Sequence, residues 1–124
     1  MKICISSTGK NLDADVDQRF GRCQYFLIID SDTMQIKTLS NEATLSSGGA
    51  GVQAAQIVTN EKVDVVITGN IGPNAFQILQ AAGIRVFTGA QGTIHEAFEN
   101  YKKGNLNETG SANVESHAGI GGRR

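Results

Sequence analysis

The chain has 124 residues, 40% hydrophobic and 19% charged, with a formal net charge of −1. This balance predicts one small globular domain and excludes a disordered segment or a generally basic nucleic-acid binder. Two cysteines, Cys4 and Cys23, exclude a disulfide scaffold and are too few and too far apart for a structural zinc motif.

No apolar run approaches a membrane span, and the N-terminus lacks the apolar core and cleavage site of a signal peptide. A cytoplasmic protein with no membrane or nucleic-acid partner is therefore expected. A domain of this size buries roughly two thirds of its unfolded surface and needs no staples.

Lys2 to Ser6 reads as a first strand. Residues 7–22 are polar and carry Gly9, Gly21 and several aspartates, as a long loop would. Tyr25 to Ile29 is a continuous apolar run, the pattern of a strand buried on both faces. Ser31-Asp32-Thr33 signals a turn, and the alternation from Gln35 to Leu39 suits a hairpin partner at the sheet edge.

A polar stretch ending in Ser46-Ser47-Gly48-Gly49 leads to a helix from about Gly51 to Asn60, with Val52, Ala55 and Val58 inward. Val63 to Ile67 is the next strand. A second helix starts near Pro73, which suits a first helical position, and Gly83 stops it. Its Ala75, Ile78, Leu79 and Ala82 share one face. Ile84 to Phe87 is the last strand. A third helix, Thr93 to Lys103, carries Ile94, Ala97, Phe98 and Tyr101 on one face, and Gly104 ends it.

Residues 1–104 thus form one domain, and 105–124 read as a flexible, glycine-rich tail that is dispensable for folding. Strands separated by a helix run parallel. The expected fold is α/β: a mixed five-stranded sheet with an antiparallel hairpin edge, covered by three helices.

Fifteen glycines in so short a chain need a reason, and their positions supply one. Thr68-Gly69-Asn70-Ile71-Gly72 and Thr88-Gly89-Ala90-Gln91-Gly92 both read T-G-x-x-G between a strand and a helix. Such glycines allow positive φ or close backbone approach, and a helix start attracts anions. In an open α/β sheet both loops lie where ligands bind. Gly69, Gly72, Gly89 and Gly92 are therefore candidate binding residues, together with Asn70 and Asn74 of the same stretch. The bland alternative is that short βα turns use glycine anyway.

Gly49, Gly51 and Ala54 match a dinucleotide G-x-G-x-x-A pattern, but the preceding strand belongs to a hairpin and no acidic residue ends the next strand. A third anion-friendly helix start, with Gly49 and Gly51, fits better. In Arg19-Phe20-Gly21-Arg22-Cys23, two guanidiniums flank a thiol. Arginines favour a thiolate, which is a soft metal ligand, so Arg19, Arg22 and Cys23 join the candidate set, with Cys23 the more reactive cysteine. The alternative is a solvated basic loop with a half-buried cysteine. Cys4 reads as core. His95 is a weak metal candidate whose default is the surface, and His117 in the tail could at most cap a site. No paired-acid constellation, Walker loop, G-x-S-x-G, H-E-x-x-H or C-x-x-C occurs, and no nucleophile is placed with a base. A non-enzyme is expected.

Three segments in order carry a resemblance: Val16-Asp17-Gln18-Arg19-Phe20-Gly21-Arg22-Cys23 with Tyr25-Phe26; Gly49-Ala50-Gly51-Val52-Gln53-Ala54-Ala55; and Thr68-Gly69-Asn70-Ile71-Gly72-Pro73-Asn74-Ala75-Phe76 running to Ala82-Gly83-Ile84. The chain resembles the dinitrogenase iron–molybdenum cofactor biosynthesis family, which includes NifX, NafY, the C-terminal part of NifB and the orange protein. The resemblance implies a ribonuclease-H-like fold without nuclease activity. It also implies carriage of an iron–sulfur or molybdenum-containing cluster, with a cluster-biosynthesis or acceptor protein as partner. Many relatives have histidine before the Phe-Gly pair, where this chain has Arg19. The other reading of the same loops is a small-anion or nucleotide-binding regulatory module without metal.

Overall fold

The computed structural model describes residues 1–45 and 49–110. Its elements are β1 (Lys2–Ser7), β2 (Tyr25–Asp30), β3 (Ile36–Ser40), a 3-10 turn (Glu42–Leu45), α1 (Ala50–Asn60), β4 (Val65–Ile67), α2 (Pro73–Ala81), β5 (Arg85–Phe87) and α3 (Ile94–Lys102). The sheet order is β3-β2-β1-β4-β5. β2 is antiparallel to both β1 and β3, while β1, β4 and β5 run parallel. The mixed five-stranded sheet, its hairpin edge and the three helices agree with the sequence reading.

Alternation along the strands divides the core into two layers. Cys4, Phe26, Ile28, Val66 and Val86 face α1 and α2. Ile3, Ile5, Leu27, Ile29, Val65, Ile67 and Phe87 face α3. This explains the unbroken apolar run of β2: both faces are covered. At the edge, β3 is largely exposed. The β2–β3 turn is held by the Asp30 carboxylate, which accepts from Asp32 N at 2.9 Å and Thr33 N at 3.3 Å. These backbone donors lower the Asp30 pKa.

The helix faces differ in detail from those predicted. In α1 the buried residues are Ala50, Ala54, Ala55 and Val58, whereas Val52 is half-buried. The first turn of α1 turns toward the loop after β1 instead of the sheet. In α2, Phe76 is buried and Ala82 lies exposed beyond the helix end. The α3 start carries a capping box: Thr93 Oγ1 accepts from Glu96 N at 3.1 Å and Thr93 N donates to Glu96 Oε1 at 2.8 Å.

The segment after Gly104 is docked as far as the described residues run. Thr109 N donates to Val86 O at 2.7 Å, Thr88 N donates to Thr109 Oγ1 at 3.1 Å, and Arg85 Nη2 meets Glu108 Oε1 at 2.8 Å. Backbone bridging of Glu108 to Phe87 extends the β5 edge. The rest of the predicted tail, with His117, lies outside the described residues, as does 46–48 of the polar stretch before α1.

Candidate functional site

Parallel β1, β4 and β5 end at one edge of the sheet, so the loops that follow them meet there. The loop after β1 is fixed first at Asp17, which is only 7% exposed. Asp17 N donates to Ser6 O at 2.9 Å, and Asp17 O accepts from Ser6 Oγ at 2.7 Å. Ser6 Oγ also lies 2.7 Å from Thr68 Oγ1, tying β1 to the end of β4 through a buried hydroxyl pair. The Asp17 carboxylate accepts from Arg19 N at 2.9 Å and Arg19 Nε at 3.5 Å.

The next residues pair with the loop after β4. Asn70 N donates to Gln18 O at 2.8 Å, Asn70 Nδ2 donates to the same oxygen at 3.1 Å, and Phe20 N donates to Asn70 O at 3.2 Å. This approach requires glycine at 69: a Cβ there would stand 2.7 Å from Gln18 Cα. Gly21 then meets the start of α1, where a Cβ would lie 2.9 Å from the N and Cα of Gly51. The starts of α1 and α2 are themselves close, since a Cβ on Gly51 would touch Ala75 Cβ at 3.5 Å.

These contacts enclose a cleft of about 340 Å³, lined by Gln18, Arg19, Phe20, Gly21, Gly51, Asn70, Gly72, Pro73, Asn74 and Ala75. Among the described residues, neither α1 nor α2 has a side-chain cap or an acidic residue in its first turn. First-turn amides of such helices are left to water or ligand, and two positive dipole ends add in one place. The walls are mostly hydrocarbon from Phe20, Pro73 and Ala75. The arrangement suits an anion of diffuse charge, because a strongly hydrated ion loses more on entering an apolar cleft than a few donors return.

Of the predicted site residues, Arg19, Gly51, Asn70, Gly72 and Asn74 line the cleft together. Gly49 is the N-cap of α1, with φ of 69°, and Gly69 lies beneath Gln18. Arg22 is exposed beside Gly21, outside the lining.

The second T-G-x-x-G loop differs from its echo. Gly89 N donates to Gly69 O at 2.9 Å and Ala90 N to Thr68 O at 3.3 Å. At the α3 start, Ile94 N donates to Ala14 O at 2.8 Å and His95 N to Leu12 O at 3.1 Å. The chain itself therefore supplies the acceptors an anion would replace. Gly89, Gly92 and His95 stand apart from the cleft, and the His95 side chain is exposed.

Cys23 corrects the expectation of an arginine-activated thiolate. It is fully buried in the same apolar cluster as Cys4. Burial first, and then the Asp17 charge, push its pKa up to about 12. Its Sγ donates to Phe20 O at 3.3 Å. Burial likewise pushes the Cys4 thiol up. Arg19 and Arg22 are exposed, so water screens their charge, and desolvation of the buried thiol wins. No group of three or more His, Cys, Asp or Glu side chains that could hold a metal ion occurs among the described residues.

Sequence reasoning missed three supports. Gln18 Nε2 donates to Ala90 O at 3.0 Å, linking the three loops. Asn41, 3% exposed, donates from Nδ2 to Gly21 O at 3.2 Å and Cys23 O at 2.9 Å. A lone asparagine after an edge strand carries no sequence signal for this role. Asp17 was also missed as a support of Arg19; its sequence signal is an aspartate two residues before the amide it accepts from, the Asx-turn spacing.

The family model described as dinitrogenase iron-molybdenum cofactor matches residues 1–104. An uncharacterized protein of Methanocaldococcus jannaschii is 30% identical over 109 residues, 86% of this chain and 89% of that protein. The apo form of the orange protein from Desulfovibrio gigas superposes with a TM-score of 0.89 at 36% identity, covering 91% of this chain and 96% of that one. A NifB-like protein of the DUF35 family from Thermotoga gives 0.80 at 31% identity, covering 95% and 98%. With its family model spanning every element from β1 to α3, the chain belongs to the dinitrogenase iron-molybdenum cofactor family.

Proposed function

We propose that the protein is a non-enzymatic carrier of an anionic metal–sulfur cluster, bound in the cleft between the loop after β1 and the starts of α1 and α2. The observation that carries this reading is the convergence, around hydrocarbon walls, of Arg19 and Asn74 with two helix starts that have no side-chain cap among the described residues. The described lining contains no carboxylate, histidine or thiol. The cluster would therefore be held through its outer sulfur atoms by N–H donors, without a protein ligand to metal. Sulfur-rich anions are large, soft and weakly hydrated, which matches such walls. An iron–sulfur or a molybdenum-containing cluster meets this description equally. Family membership and the likeness to the orange protein favour cargo of this kind.

The same reading places the protein in the cytoplasm, handing its cargo to a cluster-biosynthesis or acceptor protein. The sheet order, with β2 antiparallel, supports a ribonuclease-H-like topology, and β1 carries no carboxylate to serve nuclease chemistry.

The test is an anaerobic titration of the full chain with tetrathiomolybdate. Visible absorption should shift and co-elute with protein on gel filtration, with amide NMR changes at residues 18–21, 51–53 and 72–75. Complete separation on the column would sink the carrier reading. Cleft shifts with phosphate or a nucleotide, and none with thiomolybdate, would instead establish a regulatory anion module.

A further inference from the structure

Arg19 reaches the cleft from an exposed position, its side chain 69% accessible, yet its guanidinium is not left to wander. The Asp17 side chain, 9% accessible, is fixed by accepting from Arg19 N at 2.9 Å and meets Arg19 Nε at 3.5 Å. Asp17 itself cannot drift, since its backbone is pinned to Ser6 on both N and O sides. A guanidinium is a planar fork, so holding the Nε edge fixes the direction of both terminal nitrogens without occupying them.

We infer that Asp17 is the positioning residue of the cleft, orienting Arg19 so that its two terminal nitrogens present to the anionic ligand. The inference rests on the carrier reading above. Its sign separates it from a through-space charge effect. A carboxylate near an anion repels it, so if charge were all that mattered, removing Asp17 would tighten binding. If Asp17 acts by orienting Arg19, its removal weakens binding despite the lost repulsion.

The experiment measures tetrathiomolybdate affinity of the full chain, anaerobically, for a set of variants. Asp17→Ala should bind roughly 5- to 10-fold more weakly, the scale of one charge-assisted hydrogen bond misdirected. Asp17→Asn keeps an oxygen that accepts from Arg19 N and Nε, and should bind at least as tightly as wild type. Arg19→Lys keeps the charge but loses the fork, and should also weaken binding several-fold. This surface substitution serves even if Asp17→Ala does not fold. In an Arg19→Ala background, Asp17→Ala should cause no further weakening.

Affinity equal to or above wild type for Asp17→Ala or Arg19→Lys overturns the inference. So does equal weakening by Asp17→Ala with and without Arg19, which would make Asp17 a general structural support. A ligand-free readout separates this inference from the carrier reading. Nitrogen-15 relaxation of the Arg19 Nε–H should report order in wild type and Asp17→Asn and mobility in Asp17→Ala. Order retained in Asp17→Ala refutes the positioning contact. Order that follows Asp17 in a protein that does not bind thiomolybdate upholds the contact and refutes the carrier.

Discussion

Gly21 is the tightest point between the loop after β1 and the helices, and replacing it by alanine tests how the cleft is built. The new Cβ would stand 2.9 Å from two backbone atoms of Gly51 and 3.3 Å from Ala50 C, whereas ordinary contact begins near 3.4 Å, so about half an ångström of displacement is required. No flexible side-chain tip is available to yield; the loop or the α1 start must move. Gly21 is not among the positive-φ glycines, so alanine meets no left-handed strain and the whole effect is steric. Overpacking of this kind costs about 1–3 kcal/mol. At roughly 4 °C per kcal/mol for a domain of this size, thermal melts by circular dichroism should fall by roughly 4–12 °C. Gly51→Ala is the control, because its methyl reaches Ala75 Cβ at an ordinary 3.5 Å. It should melt at or slightly above wild type, as helical glycine-to-alanine changes gain about 0.5–1 kcal/mol. Equal melting temperatures for Gly21→Ala and wild type would refute the packing described here.

Other outcomes follow from the same contacts. Both cysteines should resist iodoacetamide at pH 8 in the folded protein and react together once guanidinium unfolds it; rapid labelling of Cys23 alone would contradict its burial. The Cys23 thiol keeps its proton to about pH 12 when folded but ionises near 9.0 when unfolded. The unfolded state therefore binds fewer protons between those values, and stability, complete below pH 9, should fall by up to about 1.4 kcal/mol per pH unit above it; a Cys23→Ala comparison by urea titration isolates this slope. Gly69→Ala should lose both stability and thiomolybdate binding, since it collides with Gln18. Gly89→Ala, at φ of +82° with open space around it, should lose about 1–2 kcal/mol by left-handed strain and leave binding intact. A chain ending at Gly104 should melt roughly 4–8 °C below one ending at Gly110, because it lacks the Thr109 hydrogen bonds and the Arg85–Glu108 pair.

The contrast between Gly69 and Gly89 shows where sequence reading reaches its end. Both belong to T-G-x-x-G, and both loops follow a parallel strand. Gly69 is glycine because Gln18 passes against it; Gly89 is glycine because its backbone turns left-handed. Local pattern cannot tell these causes apart, since the first depends on a residue 51 positions away. The strands and helices, by contrast, were legible to within a residue or two, because apolar period, Pro73, Gly83 and Gly104 act locally. Cys23 misled for the converse reason. Arginines adjacent in sequence suggested a charged surrounding, whereas the thiol is buried in the cluster with Phe26 and the α1 layer while both arginine side chains are exposed. Charge proximity along the chain is not proximity in space.

The Asn70 amide reaches back 52 residues to Gln18, and that single span dictates when the site comes into being. During synthesis β1, β2 and β3 can pair as soon as they emerge, but the other side of β1 stays open until Val65–Ile67 arrives. The cleft then waits for Pro73–Ala75 as well. Pairings of such sequence separation are made late, because the closure entropy of the intervening chain must be met first. A ligand of this cleft would therefore meet a finished domain and would not act as a nucleus for its folding. A fragment that stops before α2 holds Arg19, Phe20, Gly21 and the start of α1, yet lacks the second helix start and the Pro73–Ala75 wall that complete the cleft.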